Sequence, residues 1–224
     1  MKVGTDGVLL GCWVPTSHLS LDIGHWRILD VGTGSGLIAR MLLQRCPEAQ
    51  IDAIDIDEAA VEQAKENFQS SAISCQPSAF RSSLQEWKGG PYDLIVANPP
   101  YFQNSLKNPD AGRSTARHTD TLSYADLMHH SARLLAPDGQ LAIILPAEAE
   151  QEVRGLAAAE MLSLVRATRV YSKEGKPAKR VLLLFEITRS RDHVVTTKTD
   201  TLVLEDEKGG RSAAYQELTK DFYL

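Results

Sequence analysis

Residues 27–45 read R-I-L-D-V-G-T-G-S-G-L-I-A-R-M-L-L-Q-R, and few folds accommodate that order. Arg27 to Val31 is a short apolar strand. Gly32, Gly34 and Gly36 follow as a loop, and a helix then runs from Leu37 to Arg45 with Ile38, Met41 and Leu42 turned inward. A strand, a glycine loop and a helix let backbone approach a ligand closely and put a helix N-terminus beside it. The third glycine falls one place early for G-x-G-x-x-G, because position 37 is Leu; this argues against a nicotinamide or flavin dinucleotide.

The next strand, I-D-A-I-D-I, ends at Asp55 and Ile56. Asp55 lies 19 residues after Gly36 (55 − 36), the distance at which an acid reaches ribose hydroxyls. Asp57 reads as the N-cap of a helix that starts at Glu58 and runs through Asn67. A third strand contains Ala79 and Phe80 and leads to Ser83 and Leu84. Residues 93–101, D-L-I-V-A-N-P-P-Y, form a fourth. Its apolar run suits a buried parallel strand. Two prolines then stop it, leaving Asn98 at the carboxyl end, where open α/β sheets bind ligands.

Residues 102–122 carry no periodic apolar pattern but hold Lys107, Arg113 and Arg117. A loop that long in a compact domain is usually functional or disordered; placed after Asn98, it is expected to overhang the site, its cations meeting a phosphate backbone. Ser123 caps a helix over 124–135. A fifth strand ends at Pro146, a helix spans 148–161, and strands over 163–171 and 180–188 make an antiparallel hairpin expected at the sheet edge, with a basic turn between them. Residues 192–206 suggest an added strand pair, and the aromatic tail is expected to dock on the body. At the other end, Asp6 is expected to cap a short helix carrying Val8, Leu9 and Leu10.

Alternating strands and helices predict a mostly parallel, doubly wound α/β sheet. At 224 residues the chain suits one domain, with 1–26 as a lead-in and 189–224 as a packed extension. Three cysteines with no C-x-x-C pair indicate neither disulfides nor a zinc site. No metal is expected, and no span or signal pattern is present, so the reading is a cytoplasmic protein away from membranes; a monomer is expected over an oligomer. A net charge of −5 argues against general nucleic-acid binding while leaving room for local basic contacts.

G-x-G-x-G after D-V, then D-I-D, then N-P-P-Y, resembles the S-adenosylmethionine-dependent methyltransferases of the Rossmann-like class. That resemblance implies a seven-stranded sheet in the order 3-2-1-4-5-7-6 with the seventh strand antiparallel. It also implies S-adenosyl-L-methionine as cofactor, S-adenosyl-L-homocysteine as product, and cofactor contacts from Asp30, Gly32, Gly34, Gly36, Asp55, Ile56, Ser83, Leu84 and Asn98. The N-P-P-Y tetrad is similar to that of enzymes that methylate an exocyclic or amide NH2: the Asn98 side-chain oxygen and the Pro99 carbonyl accept from the amino group, and Pro100 and Tyr101 meet the base.

Over nearly its whole length the chain resembles the bacterial tRNA1(Val) (adenine-37-N6)-methyltransferase family. K-V-G-T-D-G-V-L-L-G, D-V-G-T-G-S-G-L-I-A, D-I-D-E-A-A-V, N-P-P-Y, R-H-T-D-T-L-S, K-R-V-L-L and L-T-K-D-F-Y-L carry the likeness. It implies methylation of adenine N6 in tRNA, with Thr5 and Asp6 near the methionine end of the cofactor and Lys107, Arg113 and Arg117 on tRNA. Two features depart from the family. Met1 begins inside the opening motif, and Ser83 replaces an Asp usual near that position, which shifts adenine recognition toward backbone at Leu84. A protein glutamine N5-methyltransferase is the alternative, since an amide NH2 poses the same chemical problem, but that family carries a helical N-terminal domain not seen here. DNA adenine methylation lacks a target-recognition domain, and a non-catalytic cofactor- or RNA-binding module sits poorly with an intact tetrad.

Overall fold

A computed structural model describes residues 4–16, 26–69, 76–99, 122–188 and 195–222. In chain order the elements are α1 (Thr5–Trp13), β1 (Arg27–Val31), α2 (Leu37–Arg45), β2 (Gln50–Asp55), α3 (Glu58–Gln69), β3 (Ser78–Arg81), β4 (Tyr92–Ala97), α4 (Tyr124–Leu134), β5 (Leu135–Pro146), α5 (Glu150–Ala159), β6 (Leu162–Tyr171), β7 (Ala178–Ile187), β8 (Lys198–Val203) and α6 (Ala213–Thr219).

The strands form one sheet in the order β3-β2-β1-β4-β5-β7-β6-β8. β3, β2, β1, β4 and β5 are parallel, and β7 runs antiparallel to both β5 and β6. The expected order holds through β6, but an eighth strand is added. β8 pairs parallel with β6 from Arg166↔Lys198 to Tyr171↔Val203, so the hairpin is not at the sheet edge. The described part of 192–206 supplies that one strand and a bridge, Glu205↔Arg211, where a strand pair was expected. Its sequence, K-T-D-T-L-V, buries only Leu202, so alternation alone marked it weakly.

Side chains alternate across the sheet as the two-residue period requires. Ile28, Leu94, Val96, Ile144, Leu182 and Leu184 face a layer built from α1, α2, α3 and α6. Leu29, Val31, Ile95, Ile143, Leu183 and Phe185 face the layer of α4 and α5. Helices thus cover both faces, which is why β1, β4 and β5 are continuous apolar runs. α4 begins at Ser123, whose hydroxyl accepts from the Asp126 N–H, as its sequence indicates. α1 does not begin as expected. Its N-cap is Gly4, with no side-chain cap, and Asp6 lies inside the first turn.

The base of the sheet is fastened by polar groups. Arg27 N–H donates to Asp93 (2.8 Å), the Arg27 guanidinium donates to the Gly90 carbonyl (2.8 Å), and the Tyr92 hydroxyl donates to Asp52 (2.7 Å) while accepting from Trp87 Nε1 (2.8 Å). These bonds join β1, β2 and β4 at their starts and leave their carboxyl ends free for other work.

Candidate functional site

Registers place three strand tips in a row. Val31 pairs with Ile54 on one side and with Ala97 on the other. One residue further on, Asp55, Gly32 and Asn98 stand side by side, about 4.8 Å per strand apart. The acid, the glycine loop and the N-P-P turn therefore share one rim, although 66 residues separate Gly32 from Asn98 (98 − 32).

The loop is shaped by its neighbours. Gly32 and Thr33 N–H groups both donate to the Ile54 carbonyl (2.9 and 3.0 Å), carrying the loop over the tip of β2. The Gly34 N–H donates to Asp55 Oδ2 (2.9 Å), and Asn67 of α3 donates to the Ser35 carbonyl (2.8 Å). Asp55 Oδ1 accepts from the Asp57 N–H (3.0 Å), so this acid holds the loop as well as facing the rim. Asp57 in turn accepts from the Ala59 N–H at the start of α3, the capping role its sequence indicated. Gly36 has φ +77 and Gly32 has φ +69. A Cβ on Gly32 would meet nothing within 4 Å, so open space lies against this backbone.

Asp30 is fully buried beneath the loop. Its Oδ2 accepts from the Thr33 hydroxyl (2.7 Å) and the Ala39 N–H of α2 (3.2 Å). Oδ1 has no partner among the described residues. Burial pushes the Asp30 carboxyl up to about 6, with Asp55 adding to the rise and the two hydrogen bonds opposing it. Such a group is poised to gain from a cation brought near it.

The rest of the rim is mixed. Ile56 is 50% exposed beside Asp55, an apolar surface that a flat ring can cover. Ser83 lies past the end of β3. Its hydroxyl accepts from the Glu86 N–H (3.3 Å), capping a local turn, and Leu84 is buried. Asn98 is half-buried and Pro99 buried. Pro100, Tyr101, Lys107, Arg113 and Arg117 lie outside the described residues.

The first turn of α1 reaches the same place. Gly7 sits against Leu37 and Ile38, at the start of α2. Thr5 is exposed and Asp6 half-buried. Asp6 Oδ2 accepts from Arg180 Nε of β7 at 2.9 Å, with side-chain exposures of 22% and 31%. Arg180 was not singled out in the sequence, where it merely opened the K-R-V-L-L strand. Its partner lies 174 residues away, and no local pattern reveals such a pair.

The strand order and the glycine loop at the sheet's rim are those of a class I methyltransferase fold, and comparison with known proteins agrees. The methyltransferase small domain family matches residues 13–176. Solved structures share the fold at low identity. A predicted O-methyltransferase from Agrobacterium tumefaciens superposes with a TM-score of 0.72 at 16% identity, covering 96% of both chains. Magnesium protoporphyrin IX methyltransferase from Synechocystis, solved with bound S-adenosylmethionine, gives 0.58 at 17% identity, over 84% of this chain and 86% of that one. Curated relatives are far nearer in sequence. The tRNA1(Val) (adenine(37)-N6)-methyltransferase of Parabacteroides distasonis is 46% identical over all of this chain and 91% of its own. Those of Bacteroides fragilis and Edwardsiella ictaluri are 40% identical, over all of this chain and 91% and 87% of theirs. The chain belongs to the tRNA1(Val) (adenine(37)-N6)-methyltransferase family.

Among the described residues no helix is long and apolar enough to cross a membrane, and no cluster of three or more His, Cys, Asp or Glu could hold a metal.

Proposed function

We propose that this protein transfers a methyl group from S-adenosyl-L-methionine to N6 of adenine 37 in tRNA1(Val). The observation that carries the reading is the row of Asp55, Gly32 and Asn98 on adjacent strand tips. The cradle suits the cofactor on three counts: open space over Gly32, an unpartnered carboxylate oxygen on buried Asp30, and the exposed Ile56 side chain. Asp55 would take the ribose hydroxyls, since each of its oxygens keeps a lone pair beyond its backbone bond. Ile56, Leu84 and the backbone at Ser83 would flank the adenine, and Asp30, Thr5 and Asp6 would favour the cationic methionine end.

The cofactor, when bound, supplies a methyl already activated on a sulfonium, so no metal or strong base is required. The remaining difficulty is the acceptor. The N6 lone pair of adenine is delocalised into its ring. Two acceptors, the Asn98 amide oxygen and the Pro99 carbonyl, would hold the two N–H groups in the pyramidal geometry that frees the lone pair. Tyr101 would stack on the base, which must leave its own stack to enter. Lys107, Arg113 and Arg117 would meet tRNA phosphates. Mass spectrometry of nucleosides from tRNA1(Val) transcript incubated with enzyme and donor should detect N6-methyladenosine at position 37. Methylation of protein glutamine with none in tRNA would refute the assignment.

Two further outcomes follow from buried charge. A carboxyl raised in the folded state holds its proton more tightly there than in the unfolded chain. Stability therefore falls as pH rises from 3.8 to about 6. The Asp30 contribution to that fall is on the order of 3 kcal/mol. A bound cation reverses the balance, so S-adenosylmethionine should bind more tightly at pH 7 than at pH 5 and release protons at pH 6. Titration calorimetry in buffers of different ionisation enthalpy reads that release. Asp30→Asn should abolish it, and an unchanged proton count would rule Asp30 out.

Arg180 is proposed to position α1 through Asp6. Arg180→Ala should weaken S-adenosylhomocysteine binding by about tenfold, the size of one charge-assisted hydrogen bond. Adding Asp6→Asn should weaken it further only by the carboxylate's own pull on the methionine end, so the two losses should sum to less than the single variants predict. Independent, additive losses would separate them.

A further inference from the structure

Beyond β5, the sheet continues upward as a narrow ribbon. Ala97 pairs with Ile143, so Asn98 is level with Ile144, which pairs with Leu182 of β7. β5 ends at Pro146, opposite Arg180, but β7 extends to Ala178, opposite Tyr171 of β6. Ala178 stands four residues above the level of Asn98 (182 − 178), a height of about 13 Å. The ribbon rises two strands away from β4, about 10 Å along the sheet. It forms a wall beside the acceptor site, and β8 backs it as far as Val203↔Tyr171.

The ribbon is braced. Arg180 is tied to Asp6 of α1, Arg169 makes two bonds to buried Glu150 of α5 (2.9 and 3.0 Å), and Lys173 pairs with Glu205 (3.1 Å). The Lys176 N–H closes the turn onto the Lys173 carbonyl (3.3 Å). These pairs neutralise the cations at its foot and at the start of the turn. Lys176 and Lys179 are exposed and have no ion pair among the described residues. Glu174 is the single acid between Ser172 and Arg180.

We infer that this ribbon is a second RNA-binding surface, with Lys176 and Lys179 contacting phosphates of nucleotides flanking the target base. The inference rests on the reading of tRNA as substrate. Two unneutralised ammonium groups on a rigid support suit a polyanion: ordering them costs little, since the backbone is already fixed. In a chain of net charge −5, attraction to RNA has to come from such local sites. Lysine, a compact point charge, positions a backbone and reads no sequence.

The test uses the full chain and a tRNA1(Val) transcript. Lys176→Ala with Lys179→Ala should raise the Kd for the transcript severalfold. It should also lower the slope of log Kd against log salt by about 1 to 2, as expected for two lost phosphate contacts. S-adenosylhomocysteine affinity should stay at the wild-type value. Glu174→Lys should do the reverse and tighten tRNA binding. An unchanged Kd and slope in the lysine variant, with a wild-type enzyme that methylates the transcript, would overturn the inference alone. A parallel loss of cofactor affinity would overturn it too, by assigning the ribbon a purely structural role. A wild-type enzyme that does not methylate the transcript would defeat both this inference and the functional reading beneath it.

Discussion

Asn98→Ala should reduce kcat for methyl transfer by about 10²–10³-fold, the cost of removing one well-placed hydrogen-bonding group from a transition state. The residue follows β4 directly, one strand from Gly32, with the buried Pro99 fixing the turn behind it. Its proposed bond to N6 strengthens only as the nitrogen turns pyramidal. The loss should therefore fall mainly on kcat, with a smaller change in KM for tRNA. Single-turnover transfer of labelled methyl separates the two. Asn98→Asp retains an acceptor oxygen and should recover part of the rate. If Asn98→Ala turned over at the wild-type rate, the amino group would have to be activated elsewhere.

Gly36→Ala should cost stability before it costs chemistry. The added Cβ would run into the Phe68 ring at Cε1 and stand 3.3 Å from Ala64 Cβ, at a residue with φ +77. Left-handed backbone costs an L residue about 1–2 kcal/mol, and overpacking a core about 1–3 kcal/mol more. A loss of about 2–5 kcal/mol should appear in urea unfolding. Phe68→Leu in the same chain should recover part of the packing cost and none of the backbone cost, so the pair should not add. Gly32→Ala is the contrast. Its Cβ meets no atom, so it should cost about 1–2 kcal/mol of stability yet obstruct the cradle and abolish measurable cofactor binding. Equal unfolding losses for the two variants would contradict this division of labour.

Local signals foretold most of the sheet. The apolar runs of β1, β4 and β5 need burial on both faces, and glycine, proline and capping residues mark their ends, whereas the strand order through β6 was implied by the resemblance to the methyltransferase class and not by the runs themselves. Ser123 and Asp57 were readable as caps for the same reason, because a cap is a contact within three residues. What escaped was contact between distant positions. Asp6 has the right type and place to cap α1, but Arg180 engages it from across the sheet. Asp55 was read as facing a ligand, and nothing local showed that it also tethers the Gly34 N–H. An added strand pair at 192–206 was expected, but not a single strand, β8, laid parallel on β6, because a strand with one buried side chain carries little alternation to fix its partner. Its partner strand is chosen by Arg166 and Thr168, which bond Asp200, and by Trp13, whose ring N–H donates to Thr168 at 2.7 Å.

The packing of α1 also bears on how the molecule is made. Its outer side, Val8 and Cys12, is covered together with Met41 by Leu218 and Phe222. A ribosome makes residues 5–13 before any strand of the sheet and 213–222 after all of them. α1 therefore waits, half uncovered, while every strand of the sheet is made. A nascent chain can assemble its central strands early, but α1 is enclosed only once these two segments, made before and after the whole sheet, have met.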